Sequence, residues 1–244
     1  DLPMNPSIPD TLKKDIQSLA DSLKSNLNGT LKSVVLYGGL TKNDLVKDSD
    51  RVNLMVVLTE ISASNLDKVG DALQASSRTQ QVHPLVLSEA DLKSSTDVFP
   101  IKFLDMKQDY DVLVGDDLVK DLEIGRDNLR LRCEQEIKNL MLKLRRMYMN
   151  SRNDEKALKG SLLKGYYSFL QSGDALAELK TGKVYRKESE VVDAIGSIGL
   201  DADLMKKIVA VRSDGSLGDA AQIKKTFEDF MAMIEKAAKM ADEL

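Results

Sequence analysis

Tryptophan is absent from this 244-residue sequence, and cysteine and histidine each occur once, which excludes several kinds of site. Because Cys133 is alone, no disulfide can form within the chain. A lone histidine, His83, excludes a zinc site built from several histidines. A Ser-His-Asp triad would have to use His83, and nothing around it supports one. We therefore interpret His83 as a partly buried residue of a strand.

Long apolar runs and a strong positive charge are also missing. No apolar segment approaches the roughly 18 residues that predict a membrane span. The formal net charge is -4 and the isoelectric point about 5.3, whereas nonspecific nucleic-acid binding depends on a basic surface. We therefore expect neither a membrane nor nucleic acid as a partner. A lone cysteine fits a reducing compartment, so a cytoplasmic location is expected.

Strands and helices alternate in the first half of the sequence. The apolar run at 52–58 predicts a strand in the middle of a covered sheet. Pro84 predicts that the strand at 82–87 lies at an edge or carries a bulge. Asp10 is interpreted as the N-cap of the first helix. The other predicted elements are strands at 32–37, 100–106 and 110–114, and helices at 10–26 and 63–76.

Only helices are predicted in the second half. The longest, 126–151, carries an apolar stripe expected to face a core, formed by Leu129, Cys133, Ile137, Leu140, Leu144, Met147 and Met149. Further helices are predicted at 154–172, 173–181, 187–198, 201–212 and 219–243. This change in character predicts two domains, 1–120 and 121–244. The alternative is one α+β domain with a helical cap.

The most informative segment is SVVLYGGLTKNDLVKDSDRVNLMVVL, residues 33–58. A strand enters Gly38-Gly39, about ten polar residues follow, and a second strand begins. This pattern resembles the signature of the DNA-polymerase-beta-like nucleotidyltransferase superfamily. There the glycines bring backbone N–H groups close to a triphosphate. Two acids one residue apart on the second strand, with a third from a neighbouring strand, hold Mg²⁺ against the phosphates.

A second stretch, DVFPIKFLDMKQDYDVLVGDD at 97–117, resembles the later strands of nucleotidyltransferase-like proteins. The resemblance covers about residues 30–150. It implies an α+β fold with a nucleotidyltransferase-type mixed sheet and flanking helices, followed by an all-α helical domain.

The resemblance also implies that the metal-binding acids are largely lost. The two acidic positions of the second strand align with Arg51 and Asn53, and a Glu of the later motif aligns with Lys102. Asn53 carries no charge, and Arg51 would repel Mg²⁺ while attracting phosphate. Asp105 then remains as the strand-borne acid of that region. A shifted register offers Asp48 and Asp50 instead, although strand alternation puts Asp50 on the face opposite Arg51 and Asn53.

Two hypotheses about function follow. The first is a catalytically degenerate binding or regulatory module without a metal or other cofactor. Its partner would be a nucleotide or small molecule, bound weakly through Gly38, Gly39 and Arg51. The second is an active enzyme in which Asp48, Asp50 and Asp105 hold Mg²⁺. It would move a nucleoside monophosphate from an NTP to a small molecule, protein or RNA.

Overall fold

The computed structural model describes residues 4–6, 8–41, 51–185, 187–213 and 216–244. The chain divides into two compact units, Asp1–Ile124 and Gly125–Leu244. None of the described helices is both long enough and apolar enough to span a membrane.

The first unit is built on a four-stranded mixed sheet. Its strands are β1 (Leu31–Tyr37), β2 (Val52–Leu58), β3 (Val82–Ser88) and β4 (Tyr110–Gly115). Their order across the sheet is β3-β2-β1-β4, with β1 antiparallel to β2 and β4, and β2 parallel to β3. The interior position predicted for β2 is confirmed: six of its seven residues are buried, which explains its continuous apolar sequence.

Helices pack on the two faces of this sheet. They are α1 (Asp10–Asn26), α2 (Ala63–Ala75), α3 (Glu89–Val98) and α4 (Pro100–Gln108). Alternation along β2 separates two cores. Leu54 and Val56 share a core with residues of α1 and α2, whereas Met55 and Val57 share one with residues of α3 and α4.

Residues 100–106 belong to α4, so their prediction as a strand is wrong. Pro100 lies in the first turn of the helix, where its fixed φ is favourable and its missing N–H costs no helical hydrogen bond. Phe103 and Met106, three residues apart, are both buried, which is a helical spacing. The strand prediction failed because a short apolar run without a clear period fits either element.

Expectations for β3 and for the start of α1 can be compared with the structure residue by residue. The edge position predicted from Pro84 is confirmed, because β3 is an outer strand of the sheet. His83 on that strand is exposed rather than partly buried. The first helix begins at Asp10 itself, so its N-cap is Pro9 and the N-cap interpretation of Asp10 is wrong.

Among its described residues, the second unit contains helices and no strand. It contains α5 (Arg126–Ser151), α6 (Glu155–Thr181), α7 (Glu188–Ser197), α8 (Ala202–Val209) with a 3₁₀ turn at Ala210–Ser213, and α9 (Ala220–Asp242). The predicted α+β class, a mixed sheet with flanking helices followed by a helical part, is confirmed.

The predicted break at residue 173 is wrong, because α6 is one helix across it. Gly173 is buried, and a Cβ built there would come within 2.9 Å of the Ile195 side chain. The glycine therefore permits close helix packing instead of ending the helix.

The apolar stripe of α5 faces the core over most of its length. Its buried members are Leu129, Cys133, Ile137, Leu140 and Leu144. Met147 is only partly buried, and Met149 is 56% exposed, so its place in the stripe was wrong. The stripe ends before the last turn of the helix.

The thiol of Cys133 is fully buried. Its Sγ donates a hydrogen bond to the Ser172 carbonyl oxygen at 3.3 Å. Burial, with a smaller effect from Glu134, raises the pKa of Cys133 to about 12. The thiolate is the reactive form, so Cys133 is a core residue without nucleophilic chemistry at neutral pH.

Replacing Leu140 with alanine tests the α5 core. Leu140 is 4% exposed, so Leu140→Ala is expected to lower the free energy of unfolding by about 2–5 kcal/mol. The measurement is denaturant unfolding followed by circular dichroism. Leu142 on the same helix is 58% exposed, so Leu142→Ala should change stability by no more than about 0.5 kcal/mol. Equal effects of the two substitutions would contradict the burial of the stripe.

Candidate functional site

A row of four polar side chains crosses the sheet where β1 ends. The strand registers place Tyr37 opposite both Asn53 and Tyr110, and Asn53 opposite His83. Each lies two residues before or after a residue of the α3–α4 core, so all four belong to that face of the sheet. We call this the polar row. It lies beside the glycine turn that the sequence singled out.

Gly38 begins this turn in a conformation that favours glycine. Its φ is +86°, and a Cβ built on it would lie 2.9 Å from Nδ2 of Asn53. The Asn53 amide therefore packs directly against the glycine backbone. Gly39 follows and is half-buried. The structure thus brings together two of the predicted site residues, Gly38 and Asn53, through a close approach that only glycine permits.

Arg51 lies immediately before β2, two residues from Asn53. It is exposed, and no ion pair joins it to any residue that the structure describes. An arginine can bind an anion through its planar guanidinium. Asp48 and Asp50, the acids of the shifted register, lie outside the described residues.

The predicted site residues of the later motif, 97–117, lie on a helix and not on a strand. Asp105 lies on α4 and is half-buried, and Lys102 is exposed about one turn earlier. Burial, and after it the negative charge of Asp105, raise the pKa of Tyr37 above its usual value. Asp105 therefore lies near the polar row, but the interpretation of Asp105 as a strand-borne acid is wrong.

Two tyrosines and an aspartate of this site were missed by the sequence analysis. The Tyr110 hydroxyl donates to both carboxylate oxygens of Asp117, each at 3.0 Å. Burial first, and then Asp117, raise the pKa of Tyr110 to about 12. Tyr37 and Tyr110 thus keep their protons at neutral pH and act as hydrogen-bond donors. The sequence did hold a signal for Tyr37, which ends β1 directly before Gly38.

The described residues do not suit a magnesium ion. Mg²⁺ sheds its water reluctantly and needs several anionic oxygens in one place. Outside the undescribed segment 42–50 and the other gaps, no three His, Cys, Asp or Glu side chains group closely enough to hold a metal. Beside Gly38 the sequence instead places the amide of Asn53, the cation of Arg51 and the hydroxyl of Tyr37, whereas the Tyr110 proton is already donated to Asp117. An amide, a guanidinium and a phenol can each donate hydrogen bonds to a phosphate or another anion.

Replacing Gly38 with alanine tests the contact with Asn53. Gly29 is a matched control because its φ is +84°, close to that of Gly38, but no atom lies within 4 Å of its built Cβ. Gly29→Ala should cost about 1–2 kcal/mol of stability from backbone strain alone. Gly38→Ala should cost roughly 1 kcal/mol more from overpacking.

The excess should disappear when Gly38→Ala is combined with Asn53→Ala, because the neighbouring side chain is then gone. The double-mutant cycle compares the free energies of unfolding of the wild type, Gly38→Ala, Asn53→Ala and the double variant, measured by thermal or denaturant unfolding. An excess that persists in the Asn53→Ala background would mean that the Asn53 amide is not what crowds Gly38.

The fold is similar to that of a solved nucleotidyltransferase. The spectinomycin adenyltransferase of Enterococcus faecialis superposes with a TM-score of 0.53 at 11% identity, over 91% of this chain and 99% of that one. A nucleotidyltransferase-like protein of Exiguobacterium sibiricum gives a TM-score of 0.36 at 13% identity, over 94% and 77% of the two chains, too low to support an argument. No protein-family model and no curated protein sequence match the chain. The chain therefore has a nucleotidyltransferase fold.

Proposed function

We propose that this protein binds a nucleotide at the Gly38 turn as a binding or regulatory module and does not catalyse nucleotidyl transfer. The observation that carries the proposal is the contact between Asn53 and Gly38. It places an uncharged amide beside the turn, at the position where the resemblance expects a metal-binding carboxylate.

Electrostatics supports the loss of catalysis. Phosphoryl transfer depends on metal ions that neutralise charge on the phosphates. Asp105 is one acid where the resemblance implies three, and Arg51 adds a positive charge close to the row. An arginine can bind phosphate oxygens directly through its planar donors, whereas it repels Mg²⁺. We therefore propose phosphate binding by Arg51 and the turn backbone without a metal.

Fold likeness supports the choice of a nucleotide as the ligand. The Enterococcus faecialis enzyme was crystallised with ATP and spectinomycin. We therefore propose ATP as the first ligand to test with this protein. We also propose that residues 1–120 form a nucleotidyltransferase-like domain and that residues 121–244 form a helical domain. We propose a cytoplasmic location for the protein.

A competing proposal is an active Mg²⁺-dependent transferase. The observation in its favour is the position of Asp105, whose charge acts on Tyr37 in the polar row. Asp48 and Asp50 would supply the remaining carboxylates. The two proposals differ in whether nucleotide chemistry depends on a divalent ion.

ATP binding that is independent of metal is the expected result for the wild-type protein. The dissociation constant from calorimetry should agree within about twofold in EDTA and in Mg²⁺, and Arg51→Ala should raise it about tenfold by removing a charged hydrogen bond. Arg146, an exposed arginine of α5, serves as the control, and Arg146→Ala should leave affinity unchanged.

A turnover assay with labelled ATP and Mg²⁺ or Mn²⁺ decides between the proposals. Pyrophosphate release that is abolished by Asp48→Asn or Asp50→Asn would overturn the degenerate site and support the shifted register. Turnover lost only in Asp105→Asn would also overturn it.

Restoring the acids is the converse experiment. Arg51→Asp combined with Asn53→Asp should raise the affinity for Mn²⁺, because two carboxylates one residue apart extend from the same face of a strand. Paramagnetic resonance of bound Mn²⁺ measures this affinity. The matched control, Arg51→Ala with Asn53→Ala, removes the cation without adding acids. If the two double variants bind Mn²⁺ equally, the alignment of Arg51 and Asn53 with the metal positions fails.

A further inference from the structure

Residues before α1 lie against the glycine turn. The Asn5 side chain donates from Nδ2 to the carbonyl oxygen of Thr41 at 3.0 Å. The Ile8 N–H donates back to the Asn5 carbonyl at 3.1 Å. Ile8 is 1% exposed and belongs to the α1–α2 core, against which Met4 also packs. This anchoring keeps Asn5 beside the turn.

Thr41 connects the turn to Asp109, the residue directly before β4. Its N–H donates to the Gly38 carbonyl at 3.0 Å, and its hydroxyl lies 2.8 Å from that oxygen and 2.9 Å from the Asp109 carbonyl. Thr41 is only 3% exposed. The Gly38 carbonyl therefore accepts the Thr41 N–H, and the Thr41 hydroxyl, which has a single proton, is shared between the Gly38 and Asp109 carbonyls.

Asn5 makes a second connection to the sheet. Its backbone N–H donates a hydrogen bond to the carboxylate of Asp111 on β4. Asp111 pairs with Leu36, a residue of the α1–α2 core, so its side chain belongs to the face opposite Tyr37. Asn5 thus connects β4 to Thr41 from the side of the sheet that lies away from the polar row.

Holding the Gly38 carbonyl also orients the next N–H group. The Gly38 carbonyl and the Gly39 N–H belong to one peptide unit, which is planar and, like all others described, trans. In a trans unit these two bonds point in opposite directions. Thr41 binds the carbonyl, so the Gly39 N–H is directed away from Thr41 and is fixed before any ligand arrives.

We propose that Asn5 and Thr41 are positioning residues of the nucleotide site. They hold the Gly38–Gly39 peptide so that the Gly39 N–H is preset as a phosphate donor. This inference rests on the proposed function, because it assigns a purpose to the turn only if the turn binds a nucleotide. A preset donor raises affinity by removing the cost of ordering the loop on binding.

The first measurement is amide hydrogen exchange in the ligand-free protein, followed by NMR. Asn5→Ala should accelerate exchange of the Thr41 amide about fivefold, the effect of losing a typical hydrogen bond. Asn26→Ala is the matched control, because the Asn26 amide donates to the Lys68 carbonyl at 3.3 Å elsewhere in the same unit. It should leave Thr41 unchanged. Unchanged exchange in Asn5→Ala would show that Asn5 does not hold the turn.

The second measurement is ATP affinity in EDTA. Thr41→Val keeps the shape but loses the hydroxyl, and should weaken ATP binding about fivefold, as should Asn5→Ala. Thr41→Ser retains the hydroxyl and should bind as the wild type does, and so should Asn26→Ala. The Gly39 amide resonance should shift on ATP addition in the wild type.

The outcomes separate the two proposals. If the wild type does not bind ATP, the proposed function fails and the positioning role fails with it, whatever the exchange experiment shows about the contact. If the wild type binds ATP but Thr41→Val and Asn5→Ala bind it equally well, only the positioning role is overturned.

Discussion

The antiparallel pairing of β1 with β2 determines where every candidate site residue of these strands lies. Its register sets Tyr37 opposite Asn53, and the same pairing brings the Asn53 amide against Gly38. A slip by one residue would turn Asn53 to the other face and expose apolar residues of β2 to the wrong core. The register is therefore secured by Leu54 and Met55, which are fully buried on opposite faces, and the site takes its geometry from them.

The chemistry of the site is thus separable from the stability of the fold. Arg51 is exposed and Asn53 only partly buried, while the buried residues of β2 begin again at Leu54. A change from carboxylates to an arginine and an amide at these two positions leaves both cores intact. The proposed loss of catalytic groups is compatible with the fold, because function depends on the site and not on the scaffold.

Local periodicity was sufficient for most elements of the fold. The strand at 52–58 and the helix at 126–151 have the predicted bounds, since each carries a clear apolar pattern over most of its length. The segment at 100–106 was mistaken for a strand, because a short apolar run fits either element and the helical spacing of Phe103 and Met106 is too brief to decide. The helix break predicted at 173 is absent because Gly173 serves close packing, and that role depends on a residue 22 positions away, Ile195.

The site was harder to predict because its residues are joined by register. Gly38 and Asn53 were predicted because the turn and the strand that follows it resemble a family motif. Tyr110 joins them through a pairing between β1 and β4 that spans more than 70 residues of sequence, and no local pattern contains that information. Asn5 is a similar case, since its contact with Thr41 joins residues 36 positions apart.

The buried Cys133 gives this chain a practical property. It is the only cysteine, so the first unit has none, and its thiol is both enclosed and protonated at neutral pH. A thiol-reactive dye or spin label would therefore attach to a cysteine introduced at an exposed position while leaving the native one untouched. The wild-type background thus already serves for site-directed spectroscopy of the polar row, and no compensating substitution in the α5 core is needed.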